Sequence, residues 1–169
     1  MEKILLAING IRPDKRAFQY AVELCQGIKA ELRVLQVVRP RHYRGYLGKV
    51  REKAIRARGF IEGSMTAATF AEAGDHETAR GMMVEAMKNL NHLLPESEKA
   101  GIRYHVTMKA GDPGTEIVHF VKAHRDVVLT IYDAVQEDNQ NALKGPGQKE
   151  FSVRKIRENL SVPLVVMRH

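Results

Sequence analysis

Apolar residues in this chain come in short blocks, and the blocks alternate between two spacings. Lys3 to Ile8 (KILLAI) is a continuous apolar run of strand length, closed by Asn9-Gly10. A run that is apolar on both faces predicts a parallel strand covered by helices above and below. Next, Ala17, Tyr20, Ala21, Leu24, Cys25 and Ile28 recur at three- and four-residue steps, the stripe of an amphipathic helix. Pro13 is expected in the first turn of that helix and Asp14 at its positive end. Glu31 to Val38 (ELRVLQVV) reads as a second strand, ended by Pro40. Gly59 to Gly74, rich in Gly, Ser, Thr and Ala, reads as a loop.

The helical spacing returns from Asp75 to Lys99, with Met82, Met83, Ala86, Met87, Leu90, Leu93 and Leu94 on one broad face. Pro95 should kink or split this helix, because it lacks the amide donor and crowds the preceding turn. Ala100-Gly101 is the expected stop. Arg103 to Ala110 reads as a strand, Gly111-Asp112-Pro113-Gly114 as a turn, and Thr115 to about His124 as a helix with Ile117, Val118 and Val121 inside. Asp126 to Tyr132 (DVVLTIY) is a further buried strand. Asp133 to Glu150 is polar and expected to be a long loop. Ser152 to Leu160 reads as a short basic helix, and Pro163 to Met167 as the last strand.

Strands alternating with helices predict a doubly wound α/β fold with a five-stranded parallel sheet and helices on both faces. In such sheets a ligand crevice lies at the carboxyl ends of the strands, where the strand order reverses. The positions to watch are therefore Asn9-Gly10, Val37 to Pro40, Gly111-Asp112, Asp133-Ala134 and the loop carrying Gly145 and Gly147.

The chain has 169 residues, 44% of them hydrophobic and 28% charged, which suits one soluble domain able to fold on its own core. The expectation is a single domain over 1–169, with an insertion at about 39–74. No apolar run approaches the ~20 residues of a membrane span. Met1-Glu2-Lys3 leads straight into a strand and is too short for a signal peptide. Cys25 is the single cysteine. The expected compartment is therefore reducing and cytoplasmic.

Charge changes this picture in one place. Arg39, Arg41, Arg44, Lys49, Arg51, Lys53, Arg56 and Arg58 face a single acid, Glu52, and so match the whole net charge of +7. Tyr43 and Tyr46 lie among these cations, a pattern that can stack on bases while cations meet phosphates. Leu47, Val50 and Ala54 fall at helical spacing, which would equally suit an anionic membrane surface. A solvated, solubilising segment is the plainer account.

The order and spacing of several short pieces resemble the universal stress protein family. They are Lys3 to Gly10, Ala30-Glu31-Leu32 through Gln36-Val37-Val38, Ala100-Gly101-Ile102 leading to Gly111-Asp112-Pro113, Asp126 to Leu129, and Ser152-Val153 through Val162-Pro163-Leu164-Val165-Val166. The region from about Tyr43 to Gly74 matches nothing in the family. The resemblance implies a Rossmann-like, cytoplasmic homodimer in stress response. The apolar last strand suits such a dimer as a sheet edge.

Nucleotide-binding members carry an acid after the first strand. After the fourth they have a loop of the form G-x-x-G, then nine residues, then G-[ST], whose bare backbone approaches phosphates. Here Asn9 replaces the acid, Tyr132-Asp133-Ala134-Val135 replaces the first glycines, and Phe151 replaces the last. Gly145 and Gly147 stand at another distance from Ser152. Asp133, Glu137 and Asp138 would repel phosphate, and bulk at a glycine position blocks close approach.

Three readings follow. The first is a non-enzymatic regulatory or binding protein with a degenerate nucleotide pocket and no required cofactor. The second is a member that binds ATP or AMP, with slow hydrolysis, through Asn9, Val37, Gly111, Asp112, Gly145, Gly147 and Ser152. In a rebuilt version, Lys144-Gly145-Pro146-Gly147 and Lys149 hold one phosphate. The third is a nucleic-acid or anionic-membrane binder acting through Arg39 to Arg58. No metal spacing occurs among the histidines: His76-Glu77 lacks a second histidine, and His119 and His124 are five apart. Cys25, on the apolar stripe, is expected as a core thiol and the methionines as core filler.

Overall fold

The computed structural model describes residues 1–39, 76–134 and 147–168, apart from the side chains of 76–79 and 147–152. The element order is β1 (Lys3–Asn9), α1 (Lys15–Ile28), β2 (Glu31–Val38), α2 (His76–Asn91), α3 (Leu94–Lys99), β3 (Tyr104–Ala110), α4 (Pro113–Ala123), β4 (Val127–Asp133), α5 (Gly147–Asn159) and β5 (Leu164–Met167). The five strands form one sheet in the order β3-β2-β1-β4-β5, and every pairing is parallel. This is the doubly wound sheet that the alternating strands and helices predict.

The central strands divide their residues between two cores. Ile4, Leu6 and Ile8 of β1, with Leu32, Val34 and Val38 of β2, pack with Phe18, Ala21, Val22 and Cys25 of α1 and Met82, Met83, Met87 and Leu90 of α2. Leu5, Ala7, Leu35, Val37 and Tyr132 point the other way, toward Ile117, Phe120 and Val121 of α4 and Val153 and Ile156 of α5. Burying each such side chain contributes about 1.5–3 kcal/mol, so a central strand apolar on both faces anchors two layers at once. Cys25 lies in the first core, as the helical stripe predicts.

The ends of the elements have local causes. Asp14 is the N-cap of α1, its carboxylate accepting the Ala17 N–H at 3.2 Å. Pro13 therefore precedes the helix instead of sitting in its first turn. Pro95 lies in the first turn of α3, so the expected single helix is split where a proline costs nothing. Gly101 follows with φ +69°, a conformation that strains any side chain. Two expectations are corrected at the carboxyl side of the sheet. Asp133 belongs to β4 and is buried, not part of a loop. Helix α5 begins at Gly147, so Gly147, Phe151 and Ser152 are helical residues.

Candidate functional site

The strand order reverses between β1 and β4, since the chain builds β1, β2 and β3 outward to one side and then returns to β4 and β5 on the other. The carboxyl ends of β1 and β4 therefore border the crevice that such a sheet offers a ligand. Asn9 ends β1 and is buried, with Val37 beside it in register on β2. The Gly10 N–H donates to the Val37 carbonyl at 2.8 Å. Val37, a residue of the expected nucleotide site, thus has its carbonyl already engaged by the β1–α1 turn.

The β1–α1 turn is fastened from three directions. Gln36 Nε2 donates to the Gly10 carbonyl at 2.9 Å. Asn89 Nδ2 of α2 donates to the Ile11 carbonyl at 2.7 Å. The Asp14 N–H donates to Asp133 Oδ2 at 2.8 Å, a bond that spans the crevice. Asp133 is 1% exposed. A carboxylate of the protein's own thus sits at the reversal point and takes a backbone donor at the amino end of α1, the sort of group that elsewhere receives phosphate. The acid's unsuitability for phosphate is legible in the sequence. Its burial and its bond to Asp14 are not.

A second polar group gathers where β2 and β3 end. Gly111 has φ +152°, and a Cβ there would meet Glu116 Oε1 at 3.2 Å, so the turn into α4 requires glycine. Asp112 caps α4, accepting the Thr115 N–H at 3.0 Å and the Thr115 hydroxyl at 2.9 Å. Arg39 Nη2 reaches Asp112 Oδ1 at 3.1 Å, and Lys155 of α5 lies 3.5 Å from Oδ2. Lys155 also donates to Thr115 Oγ1 at 2.9 Å. Burial would raise the Asp112 carboxyl, but the Thr115 hydrogen bonds, followed by the charges of Arg39 and Lys155, outweigh it and hold it below its ordinary value.

Sequence reasoning assigned Arg39 and Asp112 to different sites, one to a basic patch and the other to a nucleotide pocket. The fold makes them an ion pair. Lys155 was not singled out at all; its only sequence signal is a cation in a basic helix near the carboxyl ends of the strands. Gly147 starts α5. Gly145, the Lys149 and Ser152 side chains, Glu137, Asp138 and Lys144, and Arg41, Arg44, Lys49, Arg51, Lys53, Arg56 and Arg58, lie outside the described residues. No group of three or more metal-ligating side chains occurs among the described residues, and none of their helices is long and apolar enough to cross a membrane. His124 caps α4, its Nδ1 donating to the Phe120 carbonyl at 2.8 Å.

The family model described as "Universal stress protein family" matches residues 1–131. Similar solved structures include a universal stress protein from Archaeoglobus fulgidus, with TM-score 0.58 and 12% identity over 98% of this chain and 93% of that one. Universal stress protein UspA from Lactobacillus plantarum has TM-score 0.58 and 15% identity, over 99% and 97% of the two chains. A universal stress protein family protein from Arabidopsis thaliana, with AMP bound, has TM-score 0.53 and 13% identity, over 100% and 92%. At such identities these likenesses speak for the fold. A comparison with curated proteins returns no match.

Proposed function

The chain belongs to the universal stress protein family, and from that premise we propose that it is a regulatory binding protein with a degenerate nucleotide crevice and no chemistry of its own. One observation carries the reading. The buried Asp133 carboxylate bridges β4 to the amide of Asp14 and brings negative charge to the place a polyphosphate would need. Like charges brought to ~4 Å repel by about 4 kcal/mol at an effective dielectric near 20.

The nucleoside side is less altered. Asn9 retains donor and acceptor groups at the end of β1, and the Arabidopsis relative holds AMP. On this reading any adenine ligand is preferred in the order adenosine, AMP, ADP, ATP. Calorimetric titration of the full chain with these four compounds tests it, together with a phosphate-release assay on ATP. Binding in that order, or no binding at millimolar concentration, with no phosphate release, is the expected result. ATP binding tighter than adenosine, or steady hydrolysis, overturns it.

The rest of the proposal is a cytoplasmic homodimer that pairs through β5. Leu164 to Met167 form a half-buried edge strand, the kind of edge that a second copy covers. Light scattering after gel filtration should give the mass of two chains.

A further inference from the structure

At the opposite, amino edge of the sheet lies a cation that the crevice does not use. Arg33 of β2 is on the α4/α5 face, since Leu35 and Val37 of the same alternation pack there. It is half-buried, and its Nε is buried with no hydrogen-bond partner. In register beside it stand Leu5 of β1 on one side and His105 of β3 on the other. Lys3, two residues before Leu5, shares the face. Asp126 is the carboxylate next to this group, and Lys3 engages it in an ion pair. Glu31 on the same strand pairs with Arg103. Among the described residues no ion pair joins Arg33 to a carboxylate, although Asp126, held below its ordinary value first by Lys3, also feels the Arg33 charge.

We infer that Arg33 and His105 form an anion site, taking one phosphate-type oxyanion at the amino edge of the sheet. A guanidinium presents a planar fork of donors that matches two oxygens of a phosphate, and a half-buried one gains more from such a partner than a solvated one does. His105 is exposed and supplies a ring N–H from the adjacent strand. At the carboxyl end of α4 one carbonyl, that of Phe120, is taken up by the helix's own cap. The Phe120 carbonyl accepts both the His124 N–H at 3.0 Å and its Nδ1 at 2.8 Å.

The cations around His105 act on it in one direction. Burial, then Arg33, His124 and Lys3, all hold its pKa below the ordinary value. An anion seated there reverses those charge contributions, so binding should raise the His105 titration midpoint. The site is far in the fold from Asp133, and its fate is independent of the crevice.

The test uses the full chain at pH 7 and fixed ionic strength. Inorganic phosphate, glycerol 3-phosphate and acetate are each titrated against chloride, read by melting temperature and by the His105 ring resonances. Phosphate should raise the melting temperature and move the His105 titration upward. Arg33→Gln should abolish both effects, and Arg33→Lys, which keeps the charge but not the fork, should weaken binding roughly fivefold or more. Arg125→Gln is the control. Arg125 lines a groove of about 380 Å³ with Lys122 and Ser161, and its removal should leave both phosphate effects in place. Tighter binding of glycerol 3-phosphate than of phosphate identifies a phosphate ester as the ligand, and the reverse identifies free phosphate. The inference fails if phosphate acts no differently from chloride or acetate, or acts equally on Arg33→Gln.

Discussion

Replacing Asp133 tests the closure of the crevice and its energetic cost together. Asp133→Asn keeps an oxygen that can accept the Asp14 N–H but removes the charge. Asp133→Ala removes both, leaving the partly buried Asp14 amide that now donates at 2.8 Å without this acceptor. Hydrogen bonds to charged groups contribute about 1.5–3 kcal/mol, and a stranded buried donor costs about 1–3 kcal/mol. The alanine variant should therefore lose roughly 2–3 kcal/mol in chemical denaturation and the asparagine variant about 1 kcal/mol. Binding should move the other way. Relief of only about a third of the ~4 kcal/mol repulsion is about 1.3 kcal/mol, close to a tenfold gain in affinity. Asp133→Asn should thus raise ATP affinity at least about tenfold while adenosine changes by less than about twofold. The assay is calorimetric titration of both ligands against both proteins, and the readout is the ATP-to-adenosine ratio. An unchanged ratio in a variant that is folded would refute the electrostatic account of the crevice.

Three other perturbations check separate links. Asp112 has a folded pKa below its ordinary value, so it contributes stability that is present above that value and lost as pH falls through the folded one. Asp112→Asn should flatten the acid limb of the stability curve below about pH 4, as followed by urea midpoints against pH. Asp112→Ala should also lose the cap, about 1 kcal/mol. Burial pushes the Cys25 thiol up to about 11 from 9.0, so at pH 8 only about a thousandth is thiolate. Its neutral form stabilises the fold below pH 9 and that contribution is lost as pH rises through about 11. Labelling by a thiol-disulfide reagent at pH 8 should track global unfolding, and rapid labelling of the native chain would count against a core thiol. Lys29 closes α1 with φ 57°, a left-handed position that glycine occupies without strain. Lys29→Gly should stabilise the chain by about 1 kcal/mol in guanidinium titration.

Much of the architecture was readable from one dimension because its causes are local. KILLAI had to be a strand covered on both faces. Pro95 had to interrupt a helix, and Gly101 had to follow one, since ring geometry and a positive φ act within a turn. The alternation of the elements named the fold class, and the departures at Asn9, Tyr132-Asp133 and Phe151 already spoke against a phosphate cradle. The boundaries were less legible. A polar run near 147 gave no sign of entering a helix, and Asp133 looked like a loop residue because charge next to an apolar strand usually meets solvent.

What sequence alone determined, then, was which segments bury apolar surface and where the backbone must turn. Tertiary structure decided which residues meet: Asp133 with Asp14, Arg39 and Lys155 with Asp112, Arg33 with His105. These partners lie 119, 73, 43 and 72 positions apart in the chain. Periodicity fixes the face on which a side chain stands, but strand order and register fix its neighbours. Hydrogen bonds and ion pairs need their partners within about 4 Å, so strand order and register decide which of these polar residues close the crevice.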